Sequence, residues 1–276
     1  MGVIKKLYIQ THGHFENDAS LNDGMINLAT VDNKHPRAEW KTNIPVLTVL
    51  IEHSEAGWIL FDTASHPDNM KGHWPERLRK LIPTYLKPED TLEARLREHN
   101  LTSKDIDILV LSHLHVDHAG NLFLFSNTKA GKKVYVHNTE LHEALLLTHV
   151  GLERNVGGYV ADDFDIPGIA FEPVKEGFQL AEGIEIITLE GDAFGILGLV
   201  VHLENSGTFI FPQDGVKTKG NYGPPPILPG IIYDSLGFFR SVEKVRKLQK
   251  KYNARIVFGH DGDDLNQFKL SPEYYD

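Results

Sequence analysis

Ser112-His113-Leu114-His115-Val116-Asp117-His118-Ala119-Gly120-Asn121 is the stretch on which the reading of this chain turns. Three imidazoles and a carboxylate fall within six residues, directly after the apolar run Ile106 to Leu111. That run reads as a buried strand ending at Ser112. On a straight strand, side chains alternate faces, but a loop beyond a strand end can turn several of them inward. His113 and His115 can then face one metal ion while Asp117 and His118 face a second beside it. Imidazole nitrogen and carboxylate oxygen are the donors a borderline divalent ion such as zinc accepts. The plain alternative is a polar loop that happens to be rich in histidine. Matching residues at later strand ends weigh against it.

Outward from this stretch, the bulk properties narrow the field. At 276 residues the chain is long enough for one large domain or two small ones. Its formal charge is −10, with both signs mixed along the chain, whereas a nucleic-acid binder wants a clustered basic face. There is no cysteine, which excludes disulfides, thiolate zinc sites and a cysteine nucleophile. Met1 to Gln10 lacks the long apolar core of a signal peptide. No run approaches the roughly 20 apolar residues of a membrane helix. The expectation is a cytoplasmic protein without nucleic-acid or membrane partners.

Upstream of the histidine loop, Leu7 to Ile9 reads as a short strand, followed by His12 and His14 in what reads as a solvated loop. Asn22 to Arg37 lacks periodicity and reads as a long connection of the kind used for lids or partner contacts. Val46 to Glu52 and Trp58 to Phe61 form a hairpin about the Ser54–Gly57 turn. The Asp62 carboxylate, closing the second strand, is placed to hold the neighbouring loop through backbone amides. Trp74, Leu78, Leu81 and Ile82 fall at helical spacing before Pro83. A second helix runs through Leu92 and Leu96 to His99, with Asp90 or Thr91 as N-cap.

Downstream, Val134 to Val136 reads as a strand, and Asn138 or Thr139 caps a helix through Thr148. His137, His142 and His149 read as surface residues. Gly151 to Gly168 reads as irregular. Strands follow at Ile184–Leu189, Gly198–Leu203 and Thr208–Phe211. Gly220 to Gly230 carries four prolines and reads as an extended surface loop. A helix from Ser235 places Phe238, Phe239, Val242, Val245 and Leu248 on or near one face. A last strand, Ile256 to Phe258, ends at Gly259-His260-Asp261. With no disordered linker between the halves, residues 1–276 read as one domain: two sheets face to face with helices outside.

The chain resembles the metallo-β-lactamase fold superfamily, and within it the N-acyl-homoserine lactonase branch. The stretches that carry the resemblance are Phe61-Asp62-Thr63, Ser112 to Asn121, Asp214 to Pro226 and Phe258-Gly259-His260-Asp261. The resemblance implies an α/β fold, the αββα four-layer sandwich, holding two divalent ions. Zinc is the first expectation, with manganese or iron as alternatives. His113 and His115 belong to the first ion. Asp117 and His118 belong to the second, completed by His260, and Asp214 is the carboxylate that bridges both. It also implies a homodimer, with Asn22–Arg37 as the contact to suspect.

Two positions depart from the family pattern. A third histidine is expected for the first ion after the strand Ile184–Leu189, in a Gly-His pair; here the pair is Gly191-Asp192. Asp192 either ligates the ion, adding one negative charge and favouring manganese or iron, or is too short to reach. The tyrosine expected three residues after the bridging aspartate is Lys217. Its ammonium either stabilises an oxyanion, or pairs with Asp192 and restores the missing charge, or is solvated.

The implied activity is metal-dependent opening of an N-acyl-homoserine-lactone-like ring, with Asp117 and Lys217 as catalytic residues. The substrate is a small lactone or ester with an apolar tail. Its walls come from the Asn22–Arg37 loop, the helix near Trp74 and the proline-rich loop. Two alternatives stay open: a dinuclear hydrolase of another ester, amide or phosphodiester, and a metal-binding protein with weakened catalysis.

Overall fold

Strands with near-continuous apolar runs need cover on both faces, and that requirement builds the molecule. The computed structural model describes residues 3–24, 29–36, 38–150 and 154–276. Its strands are β1 (Ile4–Asp18), β2 (Trp40–His53), β3 (Gly57–Phe61), β4 (Thr84–Tyr85), β5 (Ile108–Val110), β6 (Val134–His137), β7 (Asn155–Val156), β8 (Tyr159–Val160), β9 (Phe171–Val174), β10 (Gln179–Ala181), β11 (Ile184–Leu189), β12 (Ile196–Leu203), β13 (Gly207–Phe211) and β14 (Arg255–Ile256). The helices are α1 (Glu76–Leu81), α2 (Leu92–Arg97), α3 (Asn138–His149), α4 (Lys219–Tyr222), α5 (Ser235–Tyr252) and α6 (Gly262–Leu265).

Among the described residues, one sheet has the order β4-β1-β2-β3-β5-β6-β9 and the other β10-β11-β12-β13-β14. β7 and β8 form a small hairpin of their own. Alternation along each strand assigns its side chains to layers. Val49, Ile51, Ile59 and Phe61 point inward and meet Ile186, Leu199, Phe209 and Phe211 between the sheets. Leu50, Leu60 and Leu109 point the other way, onto Leu92 and Leu96 of α2 and Ala144 of α3. On the far side, Ile187, Val200 and Ile210 pack on Phe238, Val242 and Val245 of α5. The result is the expected αββα sandwich. α5 buries Phe238, Ser241, Val242 and Val245, spaced three, four and seven residues apart on one face, and Asp234 caps it by accepting from the Gly237 amide.

Several local expectations change. The short strand at Leu7–Ile9 is the centre of a fifteen-residue strand, β1, that pairs with β2 along its length. His12 lies inside it, buried, with its ring nitrogens on the Asp90 carbonyl and the Thr48 hydroxyl. Burial pushes its pKa down to about 3, so it is a neutral structural histidine. Trp74 precedes α1 rather than belonging to it and is fully buried. His137, not Asn138 or Thr139, caps α3 by accepting from the Thr139 amide; an imidazole lone pair serves where a hydroxyl was expected. Thr91 caps α2, one of the two residues read for it. The proline-rich loop opens with a turn of helix, α4. Part of the Asn22–Arg37 connection and the start of the Gly151–Gly168 section lie outside the described residues.

The topology decides where the site falls. β3 and β5 run parallel, and so do β13 and β14. β11 and β13 both pair antiparallel with β12, so they point the same way. The C-terminal ends of β3, β5, β11, β13 and β14 therefore open at one edge of the sandwich, and each leads into a polar residue of the candidate centre. Among the described residues, no helix is long and apolar enough to cross a membrane.

Candidate metal centre

Beyond β3 the chain turns sharply at Asp62, which sits at φ 66°, a left-handed conformation that aspartate tolerates better than bulkier residues. This turn drives its carboxylate into the protein, where it is fully buried. Oδ1 accepts from the Ser112 amide at 2.6 Å. Oδ2 accepts from the Ser112 hydroxyl at 2.9 Å, from His118 Nδ1 at 2.9 Å and from Gln213 Nε2 at 2.5 Å. Asp62 thus holds the histidine loop, as its position suggested, and orients one of the imidazoles as well. Asn121 fastens the other end of the loop by donating to the Thr63 and Ser65 carbonyls.

Three of the four imidazoles have their protonation fixed from behind. A carboxylate or carbonyl oxygen only accepts, so the nitrogen facing it carries the proton. His118 Nδ1 faces Asp62, and His260 Nδ1 faces the Pro45 carbonyl at 2.9 Å. His113 Nδ1 lies 3.0 Å from the Ser112 hydroxyl, whose own proton goes to Asp62. The opposite nitrogens, Nε2 of all three, therefore turn lone pairs toward the middle of the cluster.

What they meet there is negative. His118 Nε2 stands 3.3 Å from Asp214 Oδ1 and 3.5 Å from Asp117 Oδ2. His260 Nε2 stands 3.0 Å from Asp214 Oδ1 and 3.4 Å from Asp117 Oδ2. A neutral ring would set a lone pair against carboxylate oxygens at these distances, so something positive, a proton or a metal cation, has to lie between them. Burial pushes the His118 and His260 pKa values down, but Asp117 and Asp214 outweigh it and hold both above the ordinary histidine value. The cluster calls for positive charge, and a divalent cation supplies it. Among the described residues, His113 Nε2 and His118 Nε2 have no hydrogen-bond partner although both are buried, which is what waiting ligand atoms look like.

Two sets of donors emerge. The ligand atoms of Asp117, His118 and His260 lie within 4.8 Å of one another, and so do those of His113, His115, Asp192 and Asp214. Asp214 comes from the turn after β13, where Gln213 takes φ 47°. Its two oxygens face different sets: Oδ1 faces His118 and His260, and Oδ2 lies 3.9 Å from His113 Nε2. Asp192 follows Gly191, whose φ of 139° would strain any residue with a side chain. Its Oδ2 lies 3.2 Å from His115 Nδ1.

Lys217 is not solvated. It is 6% exposed, with Nζ 2.7 Å from Asp192 Oδ1 and 3.2 Å from Asp214 Oδ2. Burial pulls its pKa down, yet Asp192 and Asp214 outweigh this and keep it above the ordinary lysine value. The two departures from the family pattern are thus one ion pair.

All eight residues singled out in the sequence converge on this centre. Sequence reasoning missed Glu140, which is buried on α3. It accepts from the Leu114 amide at 2.9 Å, the Phe194 amide at 3.1 Å and the Tyr159 hydroxyl at 3.2 Å, tying the histidine loop to the Asp192 loop. A lone glutamate in an ordinary helix carries no signal for such a role. Gly158 was missed too; a Cβ there would come within 2.8 Å of the His115 ring.

A cavity of about 290 Å³ opens onto the centre. His115, Asp117, Asp192, Asp214, Lys217 and His260 line its floor; Phe15, Leu21, Leu78, Leu81, Ile82 and Ile231 line its walls. The helix α1 is a wall, as expected. The proline-rich loop is not, among the described residues; Ile231 and Tyr233 just beyond it are.

A family model described as the metallo-beta-lactamase superfamily matches residues 42–217. The chain belongs to the metallo-beta-lactamase superfamily. It is 33% identical over 234 residues to the N-acyl homoserine lactonase AiiB of Rhizobium rhizogenes, covering 81% of this chain and 82% of that one. To an N-acyl homoserine lactonase of Bacillus thuringiensis it is 25% identical over 275 residues, 98% of this chain and 99% of the other. Among solved structures, an N-acyl homoserine lactone hydrolase with N-hexanoyl-L-homoserine at its catalytic metal center superposes with a TM-score of 0.82. That match is at 24% identity over 99% of this chain and 100% of that one, and it speaks for the fold. Superfamily membership and the two donor sets together mark a divalent-metal centre.

Proposed function

We propose that this chain hydrolyses the ring ester of an N-acyl homoserine lactone. The observation that carries the reading is the juxtaposition of a His/Asp metal centre with an apolar-walled cavity, in a chain whose relatives are named for that activity. Asp117, His118 and His260 would hold one cation, His113, His115 and Asp192 the other, with Asp214 reaching both. Zinc suits these donors; Asp192 leaves manganese or iron as alternatives. When bound, such cations supply Lewis acidity and lower the pKa of water toward neutrality.

The chain's own residues do the rest. Phe15, Leu21, Leu78 and Ile231 give the acyl tail a dry surface and keep bulk water from the floor. Asp117 faces the cavity beside His118 and His260, where it can take the proton of the attacking water. As the hydroxide oxygen bonds to the carbonyl carbon and the ring C–O bond breaks, Asp117 returns that proton to the leaving alkoxide. Lys217 carries three N–H donors, and with two directed at Asp192 and Asp214 the third is available to the lactone carbonyl oxygen.

The test is acid release at constant pH from lactones with several acyl lengths. Turnover should vanish on chelation and return with zinc or manganese. Metal-loaded protein that opens none of them would overturn the reading and leave the hydrolysis of another ester, which the unusual Asp192–Lys217 pair favours as the second candidate.

A further inference from the structure

The two donor sets do not stand in the same electrostatic position. Asp214 divides its oxygens between them: Oδ1 turns to His118 and His260, and Oδ2 turns to His113 and Lys217. Asp192 belongs to the first set alone, with Oδ2 toward His115 and Oδ1 against Lys217. The ammonium therefore sits on oxygens that belong to the first set, the one with His113 and His115. The second set has no such neighbour among the described residues. Its own carboxylate, Asp117, has the Nε2 atoms of His118 and His260 at 3.5 and 3.4 Å and, among those residues, no ammonium at ion-pair distance.

We propose that Lys217 acts as a built-in cation of the first set. The Asp117–His118–His260 set therefore takes its divalent ion first, and the His113–His115–Asp192 set fills only at much higher metal concentration. This rests on the metal-dependent reading above and adds an order of loading to it. Both charges and geometry argue for it. In the first set, two carboxylates already share one positive charge at ion-pair distance. A divalent cation entering there must displace the ammonium from Asp192 and Asp214 or accept it as a close like-charged neighbour. Either raises the cost in a buried site, where charges are weakly screened. In the second set, among the described residues, no side-chain ammonium stands at ion-pair distance from Asp117, so entry there displaces no fixed side-chain cation of that kind. The ion pair is also compact: Lys217 lies three residues after Asp214, and its own carbonyl accepts from the His260 amide.

The experiment is calorimetric titration of zinc ions into chelator-stripped, full-length protein. The wild type should show one tight ion and a second at least tenfold weaker. Lys217→Gln should tighten the second ion at least tenfold and leave the first nearly unchanged, whereas Lys217→Arg, which keeps the charge, should preserve the gap. His115→Ala should keep the tight ion, and Asp117→Ala should lose it. Two ions of equal affinity in the wild type, or a tight ion lost in His115→Ala, would overturn the proposal even if Lys217→Gln fails to fold. Either result leaves the lactonase reading standing, because that is decided by lactone turnover of the loaded protein.

Discussion

The two halves of the metal centre use the same kinds of donor, held in opposite ways. Around His118 and His260 the support comes from behind: Asp62 and the Pro45 carbonyl fix the protons, and the front is left short of positive charge. Around His113 and His115 the front is already partly neutralised by Lys217; Ser112 stands behind His113, and Glu140 and the backbone about Gly158 brace the loop at His115. The lesson is that a ligand count does not measure a metal site. What stands behind the ligands, and which charge already faces them, decides how strongly each half asks for a cation.

The largest effect that would break this comparison is Asp214→Ala. One residue serves both halves, so both should lose metal, and lactone turnover should fall by more than the roughly 100-fold that a supporting residue costs. Metal analysis retaining two ions would show that the halves are independent. Next comes Asp62→Ala, which should act on the second half. It frees His118 and strips three other donors of their acceptor, so metal affinity there should drop about 10–100-fold, visible in zinc titration while the weak site changes less.

Gly158→Ala should act on the first half alone, because the new methyl would meet the His115 ring at 2.8 to 3.1 Å. The weak ion should weaken further and the tight one stay. The smallest effect is a control outside the centre. His73 Nε2 pairs with the buried Asp163 at 2.5 Å, and this hydrogen bond raises the His73 pKa. A histidine whose folded pKa is raised contributes stability that is complete below its unfolded value of 6.5 and is lost as pH rises through the folded value. His73→Ala should therefore lower Tm more at pH 6 than at pH 9, each 1 kcal/mol being worth about 2–4 °C, with metal content unchanged at both.

Reading the sequence located the ligands better than the framework around them. The histidine loop was legible by its spacing after an apolar strand; Asp192, Asp214 and His260 were legible through the family resemblance, with the apolar strands before them in agreement. Asp62 was legible as a loop-holder, and its hold on His118 was not. In the sequence only three residues of β1 read as strand, because its polar half, from Gln10 onward, looks solvated; Thr48, Asp90 and β2 pair it in the fold. Glu140 was invisible because a glutamate in a helix is ordinary until two distant loops bring three donors to it.

The sequence by itself determined the layered fold, through strands apolar on both faces, and the donor types, through the spacing of His113 to His118. Only the tertiary structure decided that Lys217 leaves solvent for Asp192 and that the Asp214 oxygens divide between two sets. Spacing constrains residues a few positions apart. Whether charges 25 residues apart in the chain, Asp192 and Lys217, neutralise one another depends on how β11 and β13 are aligned across β12.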